Sequence, residues 1–109
     1  MKPLIWTGDS RKAVREFSAE ARHEAGVELM AVQAGADPTD WKPMTSIGVG
    51  VKEIRIRAEN PYRVIYLAKF PEAVYVLHAF VKKTPKTAKH DLDLAEDRYK
   101  AVLVARRTK

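Results

Sequence analysis

The order of helical and extended runs predicts an α+β domain, β-α-α-β-β-β-α, with helices packed on one face of an antiparallel sheet. Three observations carry that prediction. An Ala-, Glu- and Arg-rich stretch reaching residue 33 repeats its apolar residues at three- and four-residue steps. Three β-branched and aromatic runs follow, joined by turns too short for a parallel crossover, which needs a dozen residues or more. A last stretch returns to the helical period, so helices flank a meander and layer over it.

Each element has its own signal. Residues 3–7 read as a short edge strand ended by Gly8, with Asp9 or Ser10 able to cap a helix. Val14, Phe17, Ala21, Ala25, Leu29 and Val32 form one apolar stripe. Ser18 can cap a second start, so two helices are expected, at about 9–17 and 19–34, as a hairpin or a kinked rod, with Gly35 as the stop. Residues 36–40 are turn chemistry. Strands are expected over 47–57, 62–69 and 73–82, with turns at 59–61 and 70–72. Thr84 and Pro85 end the meander. The final helix spans about 88–106, with Leu92, Ala95, Tyr99 and Val102 on one face, its acids early and Arg106 and Arg107 late, as the helix dipole favours.

The 109 residues suit one domain over 1–109. Without a cysteine there is no disulfide frame, thiolate metal site or cysteine nucleophile. No apolar run reaches membrane-span length and the first residues lack a signal-peptide core, so a cytoplasmic address and no membrane partner are expected. Charge is uneven. Residues 1–41 carry a net −2, residues 42–89 a net +7 and residues 90–109 a net +1. Clustered positive charge suits a polyanion, nucleic acid first, because phosphate neutralisation releases counterions; a solubilising surface is the other reading.

Strand parity sharpens this. Ile54, Ile56, Val64, Tyr66, Val76 and Phe80 are expected beneath the helices, which leaves Arg55, Arg57, Arg63 and Lys83 on the opposite, helix-free face. Two readings fit that face: a plain solvated surface, or a shallow groove whose guanidiniums grip a phosphodiester two oxygens at a time. Lys52, Lys82, Lys86 and Lys89 lie nearby in sequence and extend the patch. Of the histidines, His78 by parity is a hydrogen-bonded core residue, His23 is solvated, and His90, beside the basic 82–89 segment, is a candidate acid–base group. Three isolated histidines without paired carboxylates give no zinc pattern, and no metal or cofactor is expected. Trp6 and Trp41 read as packing residues, although an exposed Trp41 can stack a base.

Three stretches, Gly50-Val-Lys-Glu-Ile-Arg-Ile-Arg57, Tyr62-Arg-Val-Ile-Tyr66 and Val76-Leu-His-Ala-Phe-Val-Lys-Lys-Thr84, resemble the phage-derived, HigB-like branch of the RelE/ParE toxin superfamily. The helix-rich start, Trp41 to Met44 and the closing Asp91 to Ala95 with Arg98 and Tyr99 fit as well, so the resemblance covers nearly the whole chain. It implies a RelE-like fold and a small mRNA endonuclease of a type II toxin–antitoxin pair. The substrate would be mRNA on the ribosome, and a helix-turn-helix antitoxin would neutralise the toxin in a hetero-oligomer. It also implies that Arg63 holds the scissile phosphate, that Arg55 is the basic residue of the preceding strand, and that Lys83, with Lys82, closes the last strand. One position departs: Glu53 stands where the best-known ribosome-dependent members carry lysine. Tyr99, His90 and Asp91 are the candidates for the family's C-terminal catalytic residues.

RNA brings its own nucleophile, the 2′-hydroxyl. The expected division of labour has Arg63 and Arg55 stabilising the phosphate charge, Arg55 or Glu53 near the 2′-hydroxyl, and Lys83 protonating the departing 5′-oxygen without a metal. A gyrase poison of the ParE kind and a non-catalytic basic nucleic-acid-binding module are the competing functions.

Overall fold

The computed structural model describes residues 1–108. Its elements are β1 (Leu4–Trp6), α1 (Ser10–Arg15), α2 (Ala19–Gln33), β2 (Trp41–Pro43), β3 (Val51–Arg57), β4 (Pro61–Leu67), β5 (Val74–Val81) and α3 (Lys89–Arg107). The α+β class holds. The sheet, however, has five strands in the order β1-β5-β4-β3-β2, and β1 runs parallel to β5 while the other pairs are antiparallel.

Local chemistry sets the element ends. The Ser18 hydroxyl accepts from the Ala21 amide at 3.2 Å and starts α2 as a separate helix. Gly35, at φ 94°, closes α2 where a left-handed residue is needed. Gly50, at φ 84°, makes β3 begin at Val51, four residues later than the β-rich run suggests. The unanticipated β2 has only three residues, too few for a period, and its Pro43 has no amide to donate, which suits a sheet edge. The buried Ser10 hydroxyl and the Thr7 hydroxyl both donate to the Val76 carbonyl, at 3.1 and 2.9 Å, and peg the start of α1 to β5.

One expectation about layering is corrected. The helices do not share a face. Val14, Phe17, Ala21, Ala25, Leu29 and Val32 of the α1–α2 side bury Ile54, Ile56, Val64, Tyr66 and Val76, as the stripe requires. On the other face, Ala95 and Val102 of α3 bury Ile65, Leu67, Tyr75 and Leu77. That face is therefore half apolar and half cationic. Parity separates faces but not positions along a strand, so the arginines marked the whole face as open when only one corner is.

A bulge adds a second correction. Ile65 pairs with His78 but Tyr66 pairs with Val76, so Leu77 is an extra residue in β5. The alternation reverses there. His78 and Phe80 turn to the α3 face, while Ala79 takes the place under α1 and α2 that parity gave to Phe80.

Candidate nucleic-acid interface

Beyond the reach of α3, strands β3 and β4 bring two arginines together. Arg55 and Arg63 are direct cross-strand partners, a like-charge pairing that is unfavourable unless something offsets it. Two residues along β3 on the same face, Glu53 is fully buried, with Oε1 3.5 Å from Arg63 Nε. Thr87, from the β5–α3 connection, donates to the other carboxylate oxygen at 3.4 Å. One guanidinium nitrogen of Arg63 donates to its neighbour's carbonyl, Tyr62 O, at 3.0 Å. Arg63 is itself only 7% exposed.

This cluster is short of hydrogen bonds. Among the described residues, Glu53 Oε1, Arg55 Nε and Arg63 Nε are the buried side-chain atoms with no hydrogen-bond partner. Two of the three, Glu53 Oε1 and Arg63 Nε, face each other across the 3.5 Å ion pair. Burial pulls Arg63 below the ordinary arginine range, with the Arg55 charge adding to that and Glu53 opposing it. Lys82 continues the Phe80 side of β5 by one step. It is also held below the ordinary lysine range, first by burial and then by Arg63. Phe80 pairs directly with Arg63, and Lys42 of β2 pairs with Glu53, so both join this face. Arg57 lies largely exposed at the far end, 3.8 Å from Asp40, beside a shallow cleft of about 340 Å³ that Asn60, Pro61 and Arg63 also line.

The expected residues divide. Arg55, Arg57 and Arg63 share the face. Lys82 is close enough to feel the charges of Arg63, Glu53 and Arg55, and Lys83 is exposed beyond the end of β5. Lys52 does not extend the patch, because it lies on the α2 side of β3, ion-paired with Asp37 at 2.9 Å and 4.4 Å above the Trp41 ring. Lys86 is exposed in the β5–α3 connection, and Lys89 is exposed and paired with Asp93. His90 is exposed on the first turn of α3, without a hydrogen bond to the arginine pair. Asp91 instead accepts from His78 Nε2 at 2.7 Å. Arg98 approaches His78 Nδ1 at 3.3 Å and, being a donor only, fixes the proton on Nε2. Tyr99 packs its ring over Gly48, where a β-carbon would lie 2.4 Å from it. Phe80, Lys42 and Thr87 were missed, the first because a bulge leaves no mark in the sequence.

A sheet covered by two helices on one side and one on the other, with a pair of arginines at its uncovered corner, defines a RelE-like α+β domain. A family model described as phage derived protein Gp49-like matches residues 12–100. The chain belongs to that family, a RelE-like toxin family. Comparison with curated proteins finds no match. Among the described residues no helix is long and apolar enough to cross a membrane.

Proposed function

We propose that the protein is the toxin of a type II toxin–antitoxin pair and an endonuclease of mRNA on the ribosome. The observation that carries this reading is the Arg55–Arg63 cross-strand pair, held beside the buried Glu53 carboxylate. Two adjacent guanidiniums suit a phosphodiester, whose charge grows as it becomes pentacoordinate. In the proposed step the 2′-oxygen bonds to phosphorus as the P–O5′ bond breaks. The Lys82 ammonium, already biased toward losing its proton, donates it to the 5′-oxygen. Glu53 is sealed from solvent and cannot take the 2′-proton, so its role is to hold Arg63. His90, exposed at the start of α3, is the proposed base that accepts the 2′-proton. A helix-turn-helix antitoxin bound in a hetero-oligomer would silence the toxin.

Induced expression followed by primer extension on cellular mRNA tests this. The wild-type protein should give discrete, codon-linked breaks, and Arg55→Ala and Arg63→Lys proteins of unchanged thermal stability should give none. Supercoiling defects without breaks would make the protein a gyrase poison instead. Neither effect would leave a non-catalytic nucleic-acid-binding module.

A further inference from the structure

We infer that Phe80 is a stacking platform for a base next to the phosphate that Arg63 holds. The inference rests on the nucleic-acid reading of the same face. The Leu77 bulge turns Phe80 out of the α1–α2 core, where the alternation of β5 would otherwise bury it, and sets it directly opposite Arg63. Bulges beside functional sites serve to re-aim side chains in this way. Phe80 is half-buried at the edge of the α3 cluster, next to Arg63 in the sheet.

The ring is also fixed from behind. His78 stacks on Phe80 with centroids 5.3 Å apart and planes 20° from parallel. His78 in turn is clamped between Asp91, at 2.7 Å from Nε2, and Arg98, at 3.3 Å from Nδ1. Arg98 is anchored further by the Leu77 carbonyl at 3.0 Å and by Asp9 at 2.7 Å. An aromatic face held rigid next to a phosphate-binding guanidinium is the arrangement by which single-stranded RNA is gripped: charge takes the backbone and a ring takes an unstacked base. Every base has such a face, so the platform binds bases in general and sets where along the strand the scissile phosphate rests.

The test compares binding of a short single-stranded oligoribonucleotide with that of its abasic counterpart, which keeps the ribose-phosphate chain. The wild-type protein should prefer the base-bearing strand about tenfold, the scale of one stacked base. Phe80→Leu should erase that preference without changing affinity for the abasic strand, and Phe80→Tyr should keep it. A Phe80→Leu protein that retains the full preference overturns the inference. Should Phe80→Leu fail to fold, the fluorescence added by Phe80→Trp decides: quenching by the base-bearing strand but not the abasic one supports the platform, and no quenching by either removes it. Base-dependent binding through Phe80 with intact cellular mRNA would leave the platform standing and remove the nuclease. Cellular breaks at unchanged codons in Phe80→Leu would remove the platform alone.

Discussion

Glu53 shows how one side chain can serve a function it does not perform. A fully buried carboxylate beside two arginines looks like a candidate base, yet it touches no solvent and its ion pair with Arg63 is a long 3.5 Å. Its field allows the two guanidiniums to share one corner of the sheet. Removing Arg63 therefore has two effects that need separating. Arg63→Ala should lose mRNA cleavage and also about 3–5 kcal/mol of stability in urea denaturation, because it strands a buried charge. Glu53→Gln combined with Arg63→Ala should recover much of that stability while cleavage stays lost. Recovery of both would show that Arg63 only neutralises Glu53. The arginine pair was legible from alternation alone, since β3 and β4 are regular through residues 55 and 63. Phe80 was not, because the residue that turns it is an ordinary leucine.

At the level of elements, sequence periodicity found what is long and repetitive. The stripe from Val14 to Val32, the Ser18 break and the Gly35 stop all stand where the pattern sets them. Missing from it were β2, too short for any period, and the side of the sheet that α3 covers. Ile65, Leu67, Tyr75 and Leu77 are the apolar patch that draws α3 to its face, and they alternate with residues just as apolar. The far end of α3 is clasped by Glu72, which accepts from Arg106 Nε at 2.6 Å and from the Tyr75 hydroxyl at 2.7 Å. The Arg106 bond, helped by Tyr75, lowers the Glu72 carboxyl from 4.5 to about 2. Folding thus favours the ionised form. Its contribution is present above pH 4.5 and fades as pH falls towards 2. In acid titrations followed by circular dichroism, Glu72→Gln should flatten the loss of stability across that window and leave the slope at neutral pH unchanged. An unaltered acid limb would mean that the clasp is not formed in solution.

For the whole molecule, charge predicts how binding responds to salt. Of the central segment's cations, Lys42, Arg55, Arg57, Arg63 and Lys82 lie on one face of the sheet and Lys52 lies on the other. Affinity for single-stranded RNA should fall with salt, each phosphate contact contributing about −0.7 to the log–log slope. Arg55→Ala should reduce the slope by about one such contact, whereas Lys52→Ala should leave it as it was. Equal effects from the two would mean that RNA does not select the arginine corner.

The pairing of β1 with β5 has a further consequence, for how the chain is made. Leu4 meets Val74 and Trp6 meets Val76, so the first strand has no neighbour until the fifth has been synthesised. Thr7 and Ser10 wait for the same Val76 carbonyl. Contacts this distant close late. A nascent chain cut short by a stalled ribosome or a premature stop before β5 therefore has no finished sheet and no hinge for its first helix. Such fragments leave β1 unpaired and carry Arg63 without Phe80 opposite it.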